Sequence, residues 1–237
     1  MADIFSNDNY NPPKTYSYLA IGFLAAILLV LVFYVIGSLV LIISPNAQID
    51  LGNGSALQIG LGIIGILSLI EIPLRIVTVV FFLMWLHRAY KNLLALKAQH
   101  LEFSPGWAVG WWFIPLANLV KPFQVVRELW NESDPEFDEE FGFLASDLGT
   151  PAIIGFWWAT FLISGIIFRV SGSLIDNNGN MSPEFPIVLL VGAIINAVAA
   201  FLAIIIVKKI TEKQEQRFQR IGNLEHQLPP EPPIFNQ

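Results

Sequence analysis

Apolar residues in this chain fall in long unbroken runs, without the period of 2 or 3.6 that marks a half-buried strand or a surface helix. A bilayer's hydrocarbon core is about 30 Å thick and takes around 20 apolar residues in a helix. Four stretches meet that requirement, running from about Tyr18 to Ile43, Leu57 to Leu86, Pro151 to Phe168 and Pro186 to Val207. The pattern predicts an all-α integral membrane fold with four transmembrane helices. Thr150-Pro151 and Ser182-Pro183 each offer a hydroxyl cap before a proline whose missing N–H costs nothing at the first helical position. Ser44-Pro45-Asn46, Asn53-Gly54 and Asp176-Asn177-Asn178-Gly179 read as turns between spans.

Composition agrees: 54% of the 237 residues are hydrophobic and 14% charged, against roughly a quarter charged in soluble domains. The formal charge of −6 hides a segregation of acids from bases. Lys14 precedes the first span, while Arg88, Lys91, Lys97, Lys121 and Arg127 lie between the second and third. Lys208, Lys209, Lys213, Arg217 and Arg220 follow the fourth, and the two remaining short loops carry no base except Arg169 at the edge of the third span. Basic residues are enriched on the cytoplasmic side, so residues 1–16, the central loop and residues 208–237 are expected there, in a protein of the cell membrane. The first apolar run is too long for the core of a signal peptide and reads as a retained span. The absence of cysteine excludes disulfides and thiolate metal sites.

Two features interrupt the membrane pattern. The first is the stretch Trp107 to Val120, too short to span and broken by Pro115 and Asn118. Ser104-Pro105 supplies a helix start, and Trp107, Trp111 and Trp112 are rings that settle at headgroup level. After Pro122, Phe123, Val126 and Trp130 share a helical face. Residues 104–131 are therefore expected to form a kinked helix pair, interfacial or re-entrant, on the cytoplasmic leaflet. An acidic linker follows at 132–148, where Glu132, Asp134, Glu136, Asp138, Glu139 and Glu140 lack the spacing and turn glycine of a calcium loop.

Around this stretch the chain resembles the bacterial membrane family called domain of unknown function 4328. The likeness rests on Trp85-Leu86-His87-Arg88-Ala89-Tyr90-Lys91-Asn92-Leu93, on Phe103 to Pro115, and on Asn118-Leu119, Pro122, Glu128-Leu129-Trp130 and Ser133-Asp134-Pro135. The resemblance implies a helical membrane domain and brings no activity or cofactor. Trp85, Arg88, Asn92, Pro105, Trp107, Trp111, Trp112, Pro115, Asn118 and Pro122 form the candidate interfacial motif; the competing reading is that they only lock the short helices onto the second span.

The second feature is Glu71, Pro73 and Arg75 inside the second span. Glu71 and Arg75, four apart, share a face, and a paired charge in lipid costs far less than a lone one. Charges at such depth mark a bundle interior or water cavity, and Asn196 of the fourth span is the natural third member of that site. The alternative is a simple staple near the outer interface, since roughly thirty residues make about 45 Å of helix. Gly155 with Ala159, and Ala193 with Ala197, permit close helix contact, while Thr160 and Ser164 can bond across it.

His87, His100 and His226 have no metal spacing, and no nucleophile or phosphate-loop motif occurs. Asn53 and Asn180 begin glycosylation acceptors on the outer face. The tail from Lys208 continues the fourth helix before Pro229, Pro230, Pro232 and Pro233 end it. These readings predict a non-enzymatic membrane protein without cofactor, metal or nucleic-acid partner. It would organise membrane lipids, or a partner membrane protein or second copy, through the Trp-rich surface. The alternative is a small transporter or channel subunit using Glu71 and Arg75.

Overall fold

A computed structural model describes the backbone of residues 10–43, 56–98, 101–135, 151–175 and 182–227. The predicted turns at 44–55 and 176–179, His100, Thr150, the later acids of the linker, both glycosylation acceptors and the proline tail lie outside the described residues. The helices in chain order are α1 (Lys14–Ile43), α2 (Ala56–Ala95), α3 (Pro105–Gly110), α4 (Lys121–Glu132), α5 (Ala152–Ser173) and α6 (Phe185–Gln227). Two single 3-10 turns, Trp111–Phe113 and Ala117–Leu119, join α3 to α4. No strand occurs among the described residues, and α1, α2, α5 and α6 are each long and apolar enough to cross a membrane.

α1 is apolar all round, so its seam is set by packing. Its buried positions Ser17, Ala20, Leu24, Ile27, Leu31, Tyr34 and Ser38 recur at alternating steps of three and four, the spacing of helices wound at a shallow left-handed angle. At 40 and 43 residues, α2 and α6 are about 60 Å long, well beyond a bilayer core. Both run on past the basic edge of their spans. α2 stops where Lys97 takes φ 58°. The Ala98 N–H then bonds the Leu93 carbonyl at 2.9 Å and the Lys97 N–H bonds the Leu94 carbonyl at 3.1 Å, a Schellman closure.

Side by side, the long helices follow the order α2, α1, α6, α5. α2 and α5 are the ends of this arc, and at the basic end α3 and α4 bridge them. The most deeply buried side chains lie there: Trp85, Leu86, Tyr90 and Leu93 of α2, Val125, Val126 and Leu129 of α4, Ile154 of α5 and Ile206 and Ile210 of α6. Residues 101–135 of the central loop thus contribute to the core.

Two local expectations change. Pro151 is itself the extended residue before α5, which begins at Ala152. Ser182 likewise opens a turn, its carbonyl accepting from the Phe185 N–H at 3.0 Å, and α6 starts only at Phe185. In both places the chain needs an extra residue or more to swing into the bundle. Close approach between α5 and α6 occurs at Gly192, where a Cβ would come within 2.8 Å of Ile167 Cγ2, whereas a Cβ on Gly155 would meet open space. Thr160 and Ser164 turn their hydroxyls onto carbonyls of their own helix, Phe156 and Phe161, both at 2.8 Å. Small size and hydroxyl content alone do not tell which face meets a neighbour.

Candidate functional sites

The predicted interfacial motif divides by environment. Trp85 is fully buried, and its indole N–H donates to Thr211 Oγ at 3.1 Å, tying α2 to α6. Asn92 Nδ2 donates to the Asn11 carbonyl at 2.9 Å and faces Gln214 Oε1 at 3.5 Å. Gln214, with no exposed surface, in turn donates to the Ala89 carbonyl at 2.8 Å and Ser133 Oγ at 3.1 Å. This buried polar hub joins the N-terminal segment, α2, α4 and α6. A buried amide needs such partners to offset desolvation.

α3 begins as the sequence suggests: Ser104 Oγ accepts from the Trp107 N–H at 3.4 Å, with Pro105 at the first helical position. Tyr90 and Glu128 hold the approach to it. The Tyr90 hydroxyl donates to Glu128 Oε2 at 2.5 Å and accepts from the Phe103 N–H at 3.2 Å, while the Glu102 N–H donates to Glu128 Oε1 at 2.5 Å. Burial pushes the Glu128 carboxyl above the usual range.

Trp112 is the wedge between α2 and α5. Its ring lies 5.5 Å from Phe82 of α2, 6.5 Å from Trp157 and 5.8 Å from Trp158 of α5. The Trp158 indole donates to the Leu119 carbonyl at 2.9 Å. Pro115, Leu116 and Ala117 then form a γ-turn, with the Ala117 N–H on the Pro115 carbonyl at 2.8 Å and Leu116 at φ 67°, ψ −48°. This turn throws the apolar side chains outward: Phe113 is 71% and Leu116 82% exposed, with Trp107, Leu119 and Val120 about half exposed. Pro122 is buried at the start of α4, whose buried face is Pro122, Val125, Val126 and Leu129. Of the predicted face only Val126 is fully buried; Phe123 and Trp130 are half-buried, one step from the observed buried face.

At the C-terminus of α4, cations of α6 meet the outgoing chain. Lys213 Nζ lies 2.6 Å from Asp134 Oδ2, Arg217 bonds the Glu132 carbonyl, and Arg220 bonds the Pro135 carbonyl at 2.7 Å. Cations are favoured at this end of a helix dipole. Burial pushes the Glu132 carboxyl up to about 7, against the opposing pull of Arg217; Glu132 Oε2 has no hydrogen-bond partner.

The second site lies among α1, α2, α5 and α6. Arg75 Nε donates to Glu71 Oε1 at 2.7 Å, and the Tyr34 hydroxyl of α1 donates to Glu71 Oε2 at 2.7 Å. Both carboxylate oxygens are thereby engaged and Glu71 is buried. Glu71, Arg75 and Asn196 line one cavity of about 360 Å³ with Tyr34, Ser164 and Ser171. Tyr34 could have been singled out as the one hydroxyl-bearing aromatic within the first apolar run beyond Tyr18. The cavity wall runs from Ser164 and Asn196 toward Ile175 and Phe185 and includes no residue of the aromatic wedge.

Four membrane-length apolar helices and an all-helical core define a multi-pass α-helical membrane protein. The chain belongs to the family described as domain of unknown function (DUF4328), whose model matches residues 52–212. That match takes in the interfacial motif, Glu71, Arg75 and Asn196, and leaves out α1 with Tyr34. No curated protein and no solved structure matches the chain.

Proposed function

We propose that this is a non-enzymatic protein of the cell membrane, with both termini cytoplasmic, that organises lipid or a partner membrane protein through a Trp-rich interfacial surface. The observation that carries the reading is the outward row Trp107, Phe113, Leu116, Leu119 and Val120, held on a rigid base by Trp112 and α4. A contiguous exposed apolar patch of this kind marks a membrane or protein contact, and its place beside the basic ends of α2 and α6 suits headgroup depth. Because Val125, Val126 and Leu129 are core residues, deleting the whole segment would unfold the chain. The suitable variant is Phe113→Ser with Leu116→Ser. It should keep the parent's thermal stability and lose co-purified lipid or partner; unchanged co-purification would reject the reading. Orientation is tested on the cysteine-free chain by single substitutions: Asn223→Cys should label only from the cytoplasm and Leu174→Cys only from outside.

A second reading, a small transporter or channel subunit, is favoured by the Glu71, Arg75, Tyr34 and Asn196 cavity. Ion pairs at this depth are functional candidates. Flux into liposomes that falls in Glu71→Gln and Arg75→Met would support it; flux no greater than in empty vesicles for every ion tried would dismiss it.

A further inference from the structure

A third feature lies against α2 at the basic end of the bundle. A cleft of about 630 Å³ opens between α1, α2 and α3, lined by Tyr16, by Val80, Leu83, Met84, His87, Arg88 and Lys91, and by Gly106 and Val109. Its chemistry is graded along α2. Val80 and Met84 lie toward the span, and His87, Arg88 and Lys91 follow on the same stripe at helical spacing. Residues 80 to 91 cover about 16 Å, the depth from a headgroup phosphate down into the upper acyl chain.

Among the described residues no acid lines this cleft. Elsewhere at this end the cations are engaged: Lys14 with Glu215, Lys121 with Glu102, Lys208 with Glu212, Lys213 with Asp134 and Arg220 with the Pro135 carbonyl. Arg88 is half-buried, yet neither it nor Lys91 has a hydrogen bond or ion pair among the described residues. A half-buried guanidinium without an acceptor is costly unless an anion completes it. Gly106 leaves the cleft open, since a Cβ there would meet nothing within 4 Å.

We propose that this cleft binds one anionic phospholipid, with Arg88, Lys91 and His87 on the headgroup phosphate and Val80, Leu83, Met84 and Val109 along the acyl chain. The inference rests on the reading that this end of the bundle lies at the cytoplasmic interface, and it gives the lipid partner a chemical class. Free phosphate shares the headgroup chemistry, but the apolar half of the cleft selects the lipid.

The test is native mass spectrometry of the full chain in detergent, titrated with phosphatidylglycerol, with phosphatidylcholine of matched chains, or with glycerol phosphate. One phosphatidylglycerol should be retained per chain in preference to both other probes. Arg88→Gln with Lys91→Gln should weaken its retention about thirtyfold, at about fivefold per cation. Arg88→Lys should lose less of it than Arg88→Gln does. Gly106→Leu, which fills the cleft and leaves every charge in place, should weaken retention as well, while Lys208→Gln with Lys209→Gln should not. Equal retention of phosphatidylcholine, equal retention of glycerol phosphate, or an unaffected Gly106→Leu would each overturn the proposal. Phe113→Ser with Leu116→Ser separates the two readings. It should leave phosphatidylglycerol retention within twofold of the parent, so failure of the aromatic surface and failure of this cleft give different patterns; equal loss in that variant would overturn the site assigned here.

Discussion

Leu116 sits in the γ-turn of the strained hand, a backbone conformation that side chains beyond glycine rarely adopt. Strain of this kind persists where surrounding contacts over-determine it and clusters at working surfaces. Here the contacts are the Ala117 N–H on the Pro115 carbonyl and the Trp158 indole on the Leu119 carbonyl. Leu116→Gly should raise stability by about 1 kcal/mol, or 2–4 °C in thermal unfolding in detergent, and reduce co-purified lipid by removing the most exposed apolar side chain of the surface. A gain in stability with lipid retention unchanged would show that the leucine plays no part in the surface. Gly192 makes the opposite case. Its missing Cβ is what lets α6 pass Ile167, and the β-branched isoleucine cannot swing clear. Gly192→Val should cost about 1–3 kcal/mol through overpacking, whereas Gly155→Ala, into open space, should be neutral or slightly stabilising. Nothing in the sequence distinguishes these glycines, because the difference lies in which face of each helix meets the other.

At the scale of elements, the four spans were legible because hydropathy over about 20 residues is insensitive to any single neighbour. The Glu71–Arg75 pair was legible for a similar reason, being fixed by the i, i+4 geometry of one helix. Contacts across helices were not. Tyr34, Thr211 and Gln214 complete the two polar sites from distant parts of the chain, and only the bundle brings them to Glu71, Trp85 and Asn92. The joint between α4 and α6 carries a pH dependence of the same tertiary origin. Burial pushes the Glu132 carboxyl in the fold up to about 7, from an ordinary value of 4.5. Between those values the folded chain holds a proton that the unfolded chain has released, so stability falls as pH rises from about 4.5 through 7. Glu132 is partly exposed, which tempers the size of the effect. Glu132→Gln should raise the unfolding temperature by about 2–4 °C at pH 8 and by much less at pH 5. A variant equally stabilised at both pH values would place the effect elsewhere.

Across the whole molecule, the arc of helices explains why the tryptophan-rich motif divides between core and surface. α2 and α5 are not neighbours in the packing order, and Trp112 fills the gap between Phe82 and Trp157 at the basic end. The cavity around Glu71 and Arg75 includes no residue of that wedge. Trp107 lies tilted against Trp111 at 4.8 Å but is half exposed and, among the described residues, touches neither α2 nor α5 through a ring contact. The sequence shows three similar indoles at one membrane depth; only the packing separates the wedge from the surface. Trp112→Ala should cost about 2–4 kcal/mol, toward the lower end of aromatic truncation because the ring is half-buried. It should also change the spacing of α2 and α5, read as a shift or broadening of the distance between spin labels at Val79→Cys and Phe156→Cys, both exposed positions on a chain without native cysteine. Trp107→Ala should leave that distance and the thermal stability unchanged while weakening the association of the aromatic surface with lipid. If the two variants behaved alike in all three measurements, the wedge and the surface would be one structural unit, and the cavity beyond them would owe its shape to the helices alone.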